Sequence, residues 1–195
     1  LALTNSIHLS MGGTILGLFG ALARIIRFEK GNRFTRALAW LLRTASLIYV
    51  TLFRGTPLFV QIFIWYFIWA VALINPTDGW LISGDLAVEL RRNYGALIAG
   101  TLALTVNAGA YITEIVRAGI QSIDKGQIEA ARSLGLTYPQ AMRHVILPQA
   151  FRRMLPPLGN NMISLLKDTS LVSAIGLAEM AYAARTVAGA YGRYW

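Results

Sequence analysis

Three long stretches of this chain carry no formal charge, and they constrain its fold more than any other feature. Residues 1–23 are uncharged up to Arg24, residues 55–77 lie between Arg54 and Asp78, and residues 93–113 lie between Arg92 and Glu114. A bilayer core about 30 Å thick needs roughly 20 mostly apolar residues in a helix, so each stretch is long enough to cross it. A fourth apolar stretch, residues 154–180, is interrupted near its middle by Lys167 and Asp168. The windows predict an all-α, polytopic helical membrane protein, a single transmembrane domain over 1–195. Its spans are expected near 1–26, 55–76, 93–117 and 154–180. The apolar run ALAWLLRTASLIYVTLF before the second window reads either as the lower part of that span or as an interfacial helix. Gly55-Thr56-Pro57 would mark the break.

Charge in the linkers gives an orientation. From Arg24 to Arg54 there are seven basic residues against Glu29, and from Arg117 to Arg153 six against Asp124 and Glu129. The linker between, 76–93, sets Arg91 and Arg92 against Asp78, Asp85 and Glu89. Basic residues accumulate on the cytoplasmic side, which places the first and third linkers inside and the second outside. The start of the chain and the tail beyond residue 181 are then expected outside. A net charge of +9 would suit nucleic acid, but confinement of the charge to two linkers argues against a nucleic-acid face and for lipid contact. Only 14% of residues are charged and cysteine is absent. That excludes disulfide frameworks, thiolate metal sites and cysteine nucleophiles together. His8 and His144 lie in different segments and form no metal set or catalytic dyad.

Polar groups inside spans are costly and usually face a cavity or a partner. In the third span Asn107, Tyr111 and Glu114 fall on one helical face, at i, i+4 and i+7. In the fourth, Asn161, Ser164 and Asp168 do the same at i, i+3 and i+7, with Asn160, Lys167 and Thr169 beside them. Two readings fit. The stripes line a pathway for a zwitterion, with carboxylates and amides for an ammonium and Lys or Arg for a carboxylate. Alternatively they bond one another across helices, and Glu114 pairs with Arg117 one turn on. Arg54 is either a pathway residue or an interfacial anchor. Gly13 and Gly17 form a GxxxG suited to close helix packing. Trp65, Tyr66, Phe67 and Trp69 suit an interface belt. The linker 74–93 reads as a docking surface or as a solvated loop.

Residues 126–150, GQIEAARSLGLTYPQAMRHVILPQA, do not belong in lipid. A short helix over Ile128–Leu134 is predicted, ended by Gly135 in a left-handed cap. Thr137 caps a second helix with Pro139 in its first turn, running to Leu147-Pro148. The small side chains of Ala130 and Ala131 beside a tight turn suit a knob entering a groove on another protein, or an ordinary surface hairpin.

The pattern Glu129-Ala130-Ala131, Gly135, Val145 and Leu147-Pro148 resembles the EAA loop of ABC-importer permeases, with Val145 where isoleucine is usual. FRGTPLFVQIFIWYF, AYITEIVRAGIQSI and LLKDTSLVSAIGLAEM resemble its polar amino-acid branch, whose members take up histidine, glutamine, arginine or glutamate. The resemblance implies a type I importer transmembrane fold, about four spans of which are present, with a fifth expected after Trp195. It implies that loop 121–150 couples to an ATPase through Glu129, Ala130, Ala131, Gly135, Leu147 and Pro148. The implied partners are two ATPase subunits, a second permease (identical or related) and an extracytoplasmic amino-acid-binding protein, in the inner (cytoplasmic) membrane. No Gly-x-x-x-x-Gly-Lys occurs in the chain, so ATP and Mg are expected on the ATPase, and no cofactor or catalytic residue here. A motorless channel or carrier for small polar solutes is the alternative, and the EAA spacing argues against it.

Overall fold

A computed structural model describes residues 2–25, 32–177 and 180–192, with residues 2–10 and 180–182 as backbone only. Arg27, Lys30 and the His8 side chain lie outside the described set. The elements are α1 (Ala2–Ile25), α2 (Arg33–Gly55), α3 (Leu58–Ile64), a π-helical turn (Trp65–Trp69), α4 (Ala70–Leu73) and α5 (Asp85–Gln121). Then come α6 (Lys125–Ser133), α7 (Tyr138–Ala141), a second π turn (Met142–Ile146) and α8 (Leu147–Asp168). A 3₁₀ segment (Thr169–Ile175) and α9 (Met180–Tyr191) complete the order. The described residues form helices, turns and one isolated bridge, between Ile74 and Ile82.

Helix α5 is the spine. At roughly 1.5 Å per residue its 37 residues are longer than a bilayer core needs. It begins at Asp85, so part of the linker expected over 76–93 is already helix. The acidic Asp85 in the first turn suits the positive end of the helix dipole.

Helix α1 lies along α5 in parallel, with Gly12 facing Thr105 and Gly20 facing Thr113. The glycines make this approach feasible. A Cβ on Gly17 would stand 2.5 Å from Ile112 Cγ2, and one on Gly13 2.9 Å from Ala108 Cβ. Bare backbones meeting in this way gain dispersion contacts that lipid cannot supply. The seam is thus the GxxxG packing expected of Gly13 and Gly17, extended by about one turn to Gly20.

The second passage is built from two helices. Arg33–Gly55 is by itself long and apolar enough to cross a membrane, yet it runs antiparallel to α5 over its later part only. Ser46 Oγ donates to the Gly20 carbonyl at 2.9 Å, and Tyr49 Oη to the Val106 carbonyl at 2.5 Å. At Thr56 the backbone turns extended, because the proline that follows excludes the α-region for its predecessor. Helix α3 then continues in the same direction, Gln61 against Asn107 and Tyr66 and Ala70 near Gly95. Of the two readings of residues 37–53, the lower part of the second span is the one the packing supports.

Helix α8 returns antiparallel, Met154 against Gly119 and Val172 against Gly100. The break expected at Lys167-Asp168 is present: α-helical bonding stops at Asp168 and a 3₁₀ segment runs to Gly176, whose φ of +82° closes it. At the other end one expectation needs correcting. Leu147-Pro148 does not end the second hairpin helix. Leu147 N–H bonds back to the Met142 carbonyl, five residues earlier, and this widened turn carries the chain into α8 past Pro148, whose missing N–H a π turn accommodates without ending the helix.

Candidate functional site

Between α5 and α8, beside the break in the second passage, lies a cavity of about 470 Å³. Its polar lining comes from Thr56, Asn107, Tyr111, Asn160, Asn161, Ser164 and Asp168, and its apolar lining includes Leu58, Ile115 and Leu165. The two stripes read from helical spacing therefore face one another across a real space. Pro156 and Pro157 lie inside α8 and Pro157 reaches the cavity. Each removes a helix donor, leaving the Arg152 and Arg153 carbonyls without their usual partners and loosening the helix at the cavity's edge.

The cavity's end near Thr56 is closed by a polar knot. The helix break frees the Phe53 carbonyl, which accepts from Gln61 Nε2 at 2.9 Å and from Asn107 Nδ2 at 3.1 Å. Asn107 also donates to Gln61 Oε1 at 3.0 Å, and Gln61 reaches the Thr56 hydroxyl at 2.7 Å. Both amides are buried, and with their partners in place neither carries the cost of an unpaired polar group in hydrocarbon. Gln61 was not among the residues singled out from the sequence. Its signal was there: it is the only amide between Arg54 and the end of α4.

Three of the sequence-derived pathway residues fall outside the lining. Glu114 is held by arginines, accepting from Arg24 Nη1 at 2.9 Å and from both Nε and Nη2 of Arg117. The pairing with Arg117 was foreseen; the second arginine, from α1, was not. Lys167 and Thr169 sit at the break, where Thr169 Oγ1 donates to the Leu166 carbonyl at 2.7 Å. Arg54 is outside the lining too, its guanidinium carbon 5.1 Å from the centre of the ring of Tyr111, a cation–π distance.

The second site is the hairpin of α6 and α7. Asp124 caps α6 by accepting from Gly126 N–H. Gly135, with φ of +86°, turns the chain, and Leu136 N–H returns to the Ala131 carbonyl at 3.2 Å. Gln140 Oε1 accepts from Thr137 N–H at 2.8 Å, which fixes the start of α7. The hairpin is tied to its base by Gln149 Nε2 donating to Gln127 Oε1 at 3.2 Å and by Arg153 donating to the Ser122 carbonyl. Glu129, Ala130, Gly135, Leu147 and Pro148 are exposed. Ala131 is not: it is 4% exposed and Ala141 is fully buried. The two alanines thus divide, Ala130 outward and Ala131 into the hairpin's own packing. The outward apolar feature that sequence reasoning passed over is Leu134, 84% exposed at the turn.

Residues 13–187 match the family described as the binding-protein-dependent transport system inner membrane component. The chain belongs to that family. It is 38% identical over 176 residues to the arginine transport system permease protein ArgU of Corynebacterium glutamicum, covering 89% of this chain and 51% of the relative. With the glutamine transport system permease protein GlnP of Escherichia coli it shares 37% over 169 residues, 87% of this chain and 65% of the relative. The crystal structure of an amino acid ABC transporter with histidines superposes with a TM-score of 0.75 at 34% identity, covering all of this chain and 77% of that one. The chain thus spans about half the length of the first of these relatives and about two thirds of the second. The fold is that of ABC-importer transmembrane domains, and the resemblance read from the EAA loop is the family found.

Proposed function

We propose that this chain is the permease subunit of an ATP-driven, binding-protein-dependent amino-acid importer. An extracytoplasmic binding protein delivers the amino acid, a second permease (identical or related) completes the pathway, and two ATPase subunits hold ATP and Mg. The hairpin carries the reading. It is a capped, rigid projection with Leu134 and Gly135 at its tip, and its base is tied to α8, which lines the cavity. Movement of the hairpin by an ATPase would reach the cavity through a helix already loosened at Pro156 and Pro157. In the cavity, Asp168 and the amides of Asn160 and Asn161 suit an ammonium, and Arg54, stacked on the lining residue Tyr111, suits a carboxylate. The basic linkers support a cytoplasmic position for the hairpin and the ATPases.

The test is reconstitution of the full-length permease with its ATPase, comparing wild type with Leu134→Asp/Gly135→Asp. Both changes are at exposed positions of the tip. We expect the variant to insert normally, lose the ATPase from the purified complex, and lose stimulation of ATP hydrolysis by loaded binding protein. Undiminished coupling would reduce the hairpin to a surface loop and favour a motorless carrier.

A further inference from the structure

At the end of the bundle opposite the Glu114 ion cluster is a second cavity, of about 440 Å³. Its walls are Tyr66, Phe67, Ala70 and Val71 from the second passage and Val88 from α5, and its rim carries Arg91 and Arg92. Both arginines are exposed, and among the described residues neither has an ion-pair or hydrogen-bond partner. Asp85 and Glu89 line an adjoining depression together with Arg92 and Asn93, and Arg91 is not part of that lining.

Depth decides what this cavity suits. The charge-free window between Arg92 and Glu114 measures about 30 Å as helix, the thickness of a hydrocarbon core. With Glu114, Arg24 and Arg117 at one boundary, Arg91 and Arg92 stand at the other, level with the phosphates of a lipid leaflet. Exposed Trp80 and Tyr94 mark the same boundary, where amphipathic rings gather. Below the arginines the walls are aromatic and aliphatic, and Phe67 is exposed beside them.

We infer that this cavity binds an anionic phospholipid, its phosphate on Arg91 and Arg92 and an acyl chain along Tyr66, Phe67 and Val71. Charge complementarity and the apolar wall together select an amphiphile over a free anion. The site owes nothing to the amino-acid pathway, which lies beyond the Gln61–Asn107 knot.

The experiment uses the full-length transporter in nanodiscs of mixed phosphatidylglycerol and phosphatidylcholine, with co-purifying lipid counted by native mass spectrometry after transfer to detergent. Wild type should retain phosphatidylglycerol over phosphatidylcholine by on the order of tenfold. Arg91→Ala/Arg92→Ala should abolish the preference. Val71→Trp, which keeps both charges and fills the groove, should lower total retained lipid. Equal retention in wild type and both variants overturns the inference, as does a wild type that retains no lipid because a second copy covers the groove. Displacement of the lipid by millimolar inorganic phosphate would show an anion site and overturn it too.

Discussion

The two faces of α5 are built on opposite terms. Toward α1 the helix is sealed: Gly13, Gly17 and Gly20 let two backbones meet so closely that no added methyl fits without displacement. Toward α8 the same helix packs closely at Gly119 against Met154 but stands off along its middle, where a polar cavity opens at Asn107, Tyr111 and Ile115. The permease proposed above would use both. One face must resist deformation so that the other can be remodelled around a solute. The contrast is set by side-chain size and polarity on successive faces of one helix, since the backbone is α-helical throughout.

The strongest way to break this comparison is to put bulk on the sealed face. Gly17→Leu forces α1 away from Ile112, and overpacking of this kind costs about 3 kcal/mol. We expect little monodisperse protein and a thermal midpoint far below wild type. Ser164→Leu puts the same bulk into the cavity. There we expect a stability change within about 0.5 kcal/mol and transport reduced at least about tenfold. A Gly17→Leu variant that folds like wild type would show that the seam is not the rigid element. A Ser164→Leu variant that transports normally would move the pathway elsewhere.

A smaller effect is expected at the knot that separates the two environments. Asn107→Leu and Gln61→Leu each leave buried partners unpaired, and each should cost about 1 kcal/mol, the scale of interhelical hydrogen bonds in bilayers. Because both amides serve the Phe53 carbonyl and each other, the double variant should cost less than the two singles added. Additive losses in thermal midpoint would mean that the amides act independently and that the knot is not one unit.

What could be read from the sequence follows from how local each cause is. The hairpin was legible because Gly135, Thr137 and Pro139 act within a few residues of themselves, whereas the Asp124 cap that starts α6 at Lys125, three residues before the expected Ile128, was not read. The faces of α5 and α8 were legible because helical spacing is local as well. What lies across from a face is not local. Arg24 lies ninety residues from Glu114 in sequence, and only the α1 seam brings them together. Gln61 was passed over because the spans were found by counting charges, which an amide does not carry. Leu134 was passed over because small side chains were sought for a knob, and burial of Ala131 is a property of the folded hairpin. Pro148 was read as a stop because a π turn has no signature in residue types.

The mildest variant sharpens the comparison most, because Glu114 stands on the line between the two faces. Its carboxylate joins α1 to α5 through Arg24 and is braced by Arg117, yet it is also i+7 from Asn107, on the stripe that lines the cavity. Glu114→Gln keeps the shape and removes the charge. If the group only fastens the C-terminal end of the α1 seam, partial exposure and competing solvent limit the loss to about 1 kcal/mol or less. Transport per folded molecule should then be unchanged, and the midpoint difference should shrink as salt is raised. A variant of wild-type stability whose transport collapses would place Glu114 in the path of the solute. The division between a sealed face and an open one would then end one turn short of where the cavity lining now puts it.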